Sequence, residues 1–380
     1  MTWRVFIYVQ HLLGIGHLVR TSRIASALAD GPFEVTVASG GVPVPQLDFG
    51  KARVVQLPPV RADASGFSAL LDAQGAPFLQ EAQARRAALL RTAFDDARPH
   101  ALLLEAFPFA RRQMRFELLP LLDHARAQTP RPLILSSIRD ILQESRTPGR
   151  AEESAALVTE AFDHVLVHGD GAATPLAASF PLAAGFAEKI VYTGLVGPPL
   201  VGEAISTHDV IVSAGGGAVG EHLIGCALHA RPLSPLRDLR WLLVTGPNMP
   251  AAISAEFAQQ AGGRVSIERF VTQLPQRLKG AALSISQAGY NTVAEILGAG
   301  CRSVLVPFAE HGETEQTVRA QGLTRRGLAV SVAEVGLTPE RLATAISAAL
   351  ALPPPAAHGP QDGAAATRGF LERTLARLFS

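Results

Sequence analysis

Val210-Ile211-Val212-Ser213-Ala214-Gly215-Gly216-Gly217-Ala218 joins a short apolar run to a glycine turn. A helix pattern follows, with Leu223, Ile224, Ala227 and Leu228 on one face. An apolar run without alternation reads as a strand covered on both sides. Three glycines at a helix start expose backbone N–H groups where the helix dipole is positive. That makes an anion cradle, fit for a diphosphate, that needs no lysine. The same order opens the chain. Val5–Val9 reads as a strand, Gly14 and Gly16 as the turn, and Leu18, Thr21, Ala25 and Leu28, with Ile24 beside them, as the inward stripe of a helix. The pattern therefore starts twice.

Outward from these two starts, short β-branched or leucine-rich runs recur. The first half holds Val35–Ala38, Val54–Leu57, Ala101–Leu104, Leu133–Leu135 and Val165–Val167; the second holds Trp241–Val244, Val265–Ile267, Leu283–Ile285 and Ser303–Val306. Helix-period segments lie between many of them. Strand then helix, repeated, predicts βαβ units and parallel sheets. Leu195–His208 is rich in Gly and Pro and reads as an interdomain linker. The expected organisation is an α/β chain of two Rossmann-like domains, 1–196 and 197–355, facing across a cleft. Residues 356–380 form a breaker and a last helix, with Phe370, Leu371, Leu375 and Leu378 available to one face. Arg61–Ala76 shows little pattern.

Composition narrows the function. The chain has 380 residues, with 34 Lys plus Arg against 33 Asp plus Glu, so a nucleic-acid coat is not expected. Two cysteines exclude a disulfide scaffold and a four-cysteine zinc site. No apolar stretch approaches a membrane span, and the N-terminus lacks a secretory pattern, so the cytoplasm is the expected location. Arg85, Arg86, Arg91, Arg111, Arg112 and Arg115 cluster with leucines; a solvated helix face is the favoured reading, with peripheral membrane contact as the alternative.

Besides the turn after Ser213, three strand ends carry candidate chemistry. His17, in Gly14-Ile15-Gly16-His17, stands where parallel α/β sheets bind ligands and can act as a base near neutral pH. The turn is not a dinucleotide fingerprint, because position 19 is Val19. His11 precedes it as a packing or substrate-contact residue. In Ser286-Gln287-Ala288-Gly289-Tyr290-Asn291-Thr292-Val293-Ala294-Glu295 a strand enters and a helix leaves. A carboxylate at Glu295 is placed to accept ribose hydroxyls. The segment from Pro307 to Gln316 concentrates carboxylates, an imidazole and an amide, groups that distinguish sugar hydroxyls.

Together, Gly14-Ile15-Gly16-His17, the Ser286–Glu295 segment, Val306-Pro307-Phe308, and Glu315-Gln316 with Arg319-Ala320 resemble the MurG-type glycosyltransferases of family 28. The resemblance is fullest from about Val210 to Val330. It implies the GT-B architecture, with the last helix crossing back to the first domain. It implies a metal-independent, inverting hexosyl transfer from a nucleotide diphosphate sugar, UDP-linked, to an acceptor hydroxyl, with no cofactor. Ser213 and Gly215–Gly217 would hold the diphosphate and Glu295 the ribose. Phe270 and Val271 match the place where the base stacks, and Glu315 and Gln316 match the pair that grips the donor sugar. Gly16, Gln287, Gly289, Asn291 and Thr292 complete the donor set, and His17 matches the base. The first glycine turn is shorter than the family pattern, and Arg319 stands where relatives often have asparagine, which bears on sugar identity.

Glu105, ending a strand, is the expected partner that orients His17. Arg139 and Asp140 are the expected acceptor contacts, with His168 and Asp170 less favoured. The acceptor is small or lipid-linked. No D-x-D triplet occurs, so no metal bridge to the diphosphate is expected. Two other functions fit the motifs. One is a nucleotide-sugar hydrolase, since the Gly-x-Gly-His-x-x-Arg opening also resembles the hydrolase of pseudaminic acid synthesis. The other is a non-catalytic nucleotide-sugar-binding protein.

Overall fold

The computed structural model of the chain describes residues 2–12, 14–63, 66–143, 147–199, 202–214, 220–246, 249–309, 313–355 and 362–379. The chain forms two compact units. Unit 1 is Met1–Gly171, Pro175–Val196 and Asp362–Ser380; unit 2 is Ala172–Thr174 and Gly197–Gln361.

Unit 1 runs β1 (Trp3–Val9), α1 (Gly16–Ala29), β2 (Phe33–Ser39), β3 (Arg53–Gln56), β4 (Arg61–Asp63), β5 (Gly66–Leu71), α2 (Gln80–Ala97), β6 (Ala101–Glu105), α3 (Arg115–Arg126), β7 (Leu133–Arg139), α4 (Arg150–Ala161), β8 (His164–His168) and β9 (Ile190–Tyr192). Among the described residues seven strands make one parallel sheet, ordered β3-β2-β1-β6-β7-β8-β9. Central β1 explains its own sequence. Phe6 and Tyr8 enter one core with Leu102, Leu104, Leu90 and Phe94. Val5, Ile7 and Val9 enter the other with Leu18, Ile24 and Leu28 of α1. Successive side chains leave opposite faces of a strand, so burial on both faces requires an unbroken apolar run.

Unit 2 repeats the plan with β10 (Val210–Ser213), α5 (Glu221–Ala230), β11 (Trp241–Val244), α6 (Ala251–Gln260), β12 (Val265–Glu268), α7 (Leu274–Gly280), β13 (Leu283–Ser286), α8 (Tyr290–Ala299), β14 (Ser303–Leu305), α9 (Glu315–Arg325), β15 (Val330–Ser331) and α10 (Pro339–Ala351). Its parallel sheet is ordered β12-β11-β10-β13-β14-β15. Close packing where α5 leaves β10 admits no side chain at Gly220: a Cβ there would lie 2.0 Å from that of Ala214.

The last helix, α11 (Gly363–Leu378), belongs to unit 1 and packs on α1. Leu371 and Leu375 are fully buried beside Val5, Ile7 and Leu28. The Asp362 carboxylate accepts the Ala365 N–H and caps the helix. Gly363 sits so close to the Gly194 carbonyl that a Cβ would approach it to 2.3 Å.

Several expectations need correction. Leu378 stays 57% exposed, because it lies in the last turn of α11, beyond the stripe of Leu371 and Leu375. Arg61–Ala76 holds the antiparallel pair β4–β5, whose register shifts at Ala62/Asp63; strands this short and irregular leave no period to read. Val196, within the expected linker, is fully buried and bridges Asp362. Edge strands β9 and β15 are too short to announce themselves. The expected basic face is interrupted, since Arg86 is wholly buried while Arg112 and Arg115 pair with Glu153. Among the described residues no helix is long and apolar enough to cross a membrane.

Candidate functional site

In unit 1 the site grows from strand register. β1 lies beside β6, so α1, entered from β1, begins next to the end of β6. His17 is the second residue of α1 and Glu105 the last of β6. His17 Nδ1 lies 2.9 Å from Glu105 Oε1. Arg20, one turn further along α1, forms an ion pair with the same oxygen. β7 pairs with β6 so that Ser137 faces Glu105, and the Ser137 hydroxyl donates to Glu105 Oε2 at 2.8 Å. His168, the end of β8, places Nε2 2.9 Å from Ser137 Oγ and Nδ1 2.7 Å from Thr193 Oγ1.

Proton counting orders this chain. An ionised carboxylate only accepts. Ser137 therefore gives its one proton to Glu105 and accepts from His168 Nε2–H, leaving His168 Nδ1 to accept from Thr193. On the other side His17 donates Nδ1–H to Glu105, which leaves Nε2 as an acceptor on a ring whose side chain is 23% exposed. The charges agree. Burial pushes the Glu105 pKa up, but the Arg20 charge and the His17 hydrogen bond outweigh it and hold it at about 2. Burial, helped by Arg111 and Arg20, lowers His17 to about 4 against the opposing hydrogen bond that the ring donates to Glu105. Burial and then Arg20 lower His168 to about 3. At neutral pH this is a neutral imidazole oriented by a charged carboxylate, an arrangement suited to accepting a proton.

The other expected residues of unit 1 are placed as follows. Gly16 opens α1. His11 is buried, its ring against Gly41, where a Cβ would approach it to 2.3 Å; its Nδ1 has no partner among the described residues. Arg139 is the last residue of β7, half-buried, rather than following that strand. Asp140 is buried and its carboxylate accepts the Ile141 N–H at 3.0 Å. Asp170 is half-buried. Ser137 and Thr193 were missed, because their role depends on pairing across β6, β7, β8 and β9. Arg20, three residues beyond His17, could have been found from helical spacing.

In unit 2 the strand ends gather the rest. Ser213 ends β10 and is buried; Gly215, Gly216 and Gly217 lie outside the described residues. Gln287 follows β13, and its N–H donates to the Ser213 carbonyl at 3.4 Å. Gly289 caps α8, with Asn291 and Thr292 half-buried in its first turn. The Asn291 Oδ1, Ser286 Oγ and Thr245 Oγ1 atoms are buried without a partner among the described residues. Glu295 is half-buried on α8. After β12, Phe270 is 72% exposed while Val271 is buried. At the start of α9, Gln316 Oε1 accepts the N–H groups of Ala288 and Phe308 at 2.9 and 3.2 Å. Glu315 pairs with Arg319 at 2.7 Å, and Arg319 also donates to the Ala288 carbonyl. Glu315, Gln316 and Arg319 thus fasten the loops after β13 and β14 together.

Residues 210–366 match the glycosyltransferase family 28 C-terminal domain. A curated relative from Sorangium cellulosum, a UDP-N-acetylglucosamine--N-acetylmuramyl-(pentapeptide) pyrophosphoryl-undecaprenol N-acetylglucosamine transferase, is 33% identical over 143 residues, 37% of this chain and 35% of that protein. The protein of the same name from Syntrophotalea carbinolica is 31% identical over 153 residues, 40% of this chain and 41% of that one. The chain thus spans well under half the length of these relatives. Over its whole length the fold is similar to that of solved glycosyltransferases. The calicheamicin glycosyltransferase CalG4 aligns with TM-score 0.61 and 16% identity, covering 100% of this chain and 98% of that one. Acinetobacter baumannii MurG aligns with TM-score 0.58 and 15% identity, covering 97% and 99%. The fold is GT-B.

Proposed function

We propose that the chain transfers a hexosyl group from a nucleotide diphosphate sugar to an acceptor hydroxyl, in one inverting step without a metal. The carrying observation is the chain from His168 through Ser137 and Glu105 to His17, which leaves a neutral, oriented imidazole at the ligand-binding edge of a parallel sheet. The family 28 domain of unit 2 supports the donor half of the reading. The names of the curated relatives favour a UDP-linked donor and a lipid-linked acceptor.

In this mechanism the acceptor O–H gives its proton to His17 Nε2 as the oxygen bonds to the anomeric carbon. The bond from that carbon to the diphosphate oxygen breaks, and the nucleoside diphosphate leaves with the electron pair. Glu105 stabilises the imidazolium that forms. Donor residues are Ser213 and Gly215–Gly217 for the diphosphate, Glu295 for the ribose, Phe270 and Val271 for the base, and Gln287, Gly289, Asn291, Thr292, Glu315 and Gln316 around the sugar. Backbone N–H groups at the glycine turn stabilise the leaving group where no D-x-D triplet offers a metal site.

The test has two stages. A thermal-shift screen of nucleoside diphosphates should show a specific rise with UDP. With the matching UDP-sugar and candidate acceptors, His17→Ala should lower kcat by about 10²- to 10⁴-fold with donor binding retained. Unchanged turnover removes His17 as the base. Sugar release in the absence of any acceptor turns the reading into a hydrolase.

A further inference from the structure

Several arginines of unit 1 pair with carboxylates. Arg20 pairs with Glu105, Arg86 with Glu117, and Arg112 and Arg115 with Glu153. Arg111 has no acidic partner among the described residues. Its Nε donates to the carbonyl of Gln10, just beyond β1, at 2.6 Å, which pins the guanidinium at the sheet edge that carries His17. The backbone is committed to this placement. The loop after β6 begins at Ala106 and ends at Arg111, both at φ 65°, a left-handed conformation that non-glycine residues rarely hold and that recurs at functional sites. Arg111 is half-buried and lies within electrostatic reach of Glu105, Arg139 and Arg20. A cation removed from water without a counter-ion is costly unless a ligand supplies one.

We propose that Arg111 receives an anionic group, a phosphate or a carboxylate, carried by the acceptor whose hydroxyl His17 deprotonates. The inference rests on the transferase reading for its purpose, since the anion is placed on the acceptor rather than on the donor. It also supplies what that reading lacks. His17 at about 4 is a weak base. The charged groups facing it are Glu105 of β6, Arg20 of α1 and Arg111. Arg20 is already neutralised by Glu105, and Arg139 bears on Arg111 from the end of β7. His168 behind Glu105 is neutral. An anion on Arg111 cancels the one uncompensated positive field at His17, so arrival of the acceptor strengthens the base that will act on it.

The test needs neither donor nor acceptor. The full chain is titrated with inorganic phosphate, pyrophosphate or acetate against chloride at equal ionic strength. Nuclear magnetic resonance follows the Arg111 Nε–H at neutral pH and the His17 ring through its titration, with His17→Asn assigning the ring signals. An anion should move the Arg111 signal saturably and raise the His17 midpoint by roughly one unit. Arg111→Gln should raise the midpoint without anion and abolish the response, and Arg111→Lys should keep part of it. A response to the phosphates alone assigns a phosphorylated acceptor, and a response to acetate alone a carboxylated one. No response beyond chloride in the unmodified chain, or an undiminished His17 response in Arg111→Gln, overturns the proposal. Absence of UDP binding refutes the transferase reading instead and leaves this titration readable.

Discussion

The Ser137 hydroxyl has one proton and two neighbours, and the charge on Glu105 decides where the proton goes. Ser137→Ala removes a donor from a buried carboxylate and the acceptor of His168 Nε2–H, so Glu105 loses one of the groups that fix its plane. We expect kcat to fall about 10- to 100-fold with donor KM little changed, the range seen when a group orienting a reactive residue is lost; an equal rise in KM would mean a general loosening of unit 1. Acid stability tests the same network. In the unfolded chain a histidine takes up its proton near pH 6.5, whereas in the fold His17 and His168 wait until about 4 and about 3. Between about pH 6.5 and 4 the unfolded chain therefore binds more protons, and stability falls as pH falls, by about 1.4 kcal/mol per pH unit for each proton. Glu105 adds to this lower down. Its folded value of about 2 lies below the ordinary 4.5, so the stability contributed by its ionisation is full above pH 4.5 and is lost as pH falls toward 2. His168→Asn should flatten the pH dependence of the urea midpoint between about pH 6.5 and 4 by one proton; curves parallel to the parent would show that His168 is protonated in the fold. His17 and Glu105 were legible as neighbours because each stands at the end of an element that two adjacent strands must bring together. Ser137, His168 and Thr193 were not, because only sheet register brings residues from β7, β8 and the segment after β9 onto one carboxylate.

Helix α2 shows how two adjacent arginines diverge. Arg85 is exposed and reaches Glu81 at 3.3 Å. Arg86 is fully buried, and its guanidinium holds Glu117 at 2.8 Å and the carbonyls of Gly40 and Pro58 at 2.9 and 2.7 Å. The difference was readable in principle. Arg86, Leu90 and Phe94 recur every four residues, and all three are buried. Charge alone placed Arg86 on a basic surface; helical period places it under the loops that follow β2 and β3. Arg86→Ala should destabilise unit 1 by about 3–5 kcal/mol, because Glu117 is left buried and unpaired. Arg85→Ala should stay within about 0.5 kcal/mol. Chemical denaturation of the two variants side by side gives the comparison, and similar losses for both would contradict the assigned burial. The missed elements, β4, β5, β9 and β15, lie in a separate two-stranded pair or at a sheet edge, where burial on both faces does not impose the unbroken apolar run that marks central strands such as β10 and β13.

At the scale of the molecule, both parallel sheets were visible in the repeated strand-turn-helix order, and the family 28 domain is matched by residues 210–366. The match to the family 28 domain ends at residue 366, inside α11, although that helix packs with unit 1. Sequence similarity along the chain and contact in the fold therefore divide the molecule at different places. Leu371 and Leu375 are completely buried against the face of the sheet that carries Val5 and Ile7. Each contributes about 2 kcal/mol by burial, and Ala364, Thr367 and Thr374 are buried with them. Against a domain stability of about 5–15 kcal/mol, this is a large share. A chain ending at Gln361 keeps every element of unit 2 but uncovers that core. In amide hydrogen exchange its unit 1 strands should lose protection, β1 included, while β10–β14 keep theirs. The point variant Leu371→Ala should shift the unfolding of unit 1 by about 2–5 kcal/mol in the same direction without removing the helix. If the truncated chain protected β1 as well as the full chain does, α11 would be an ornament on unit 1 and not part of its core.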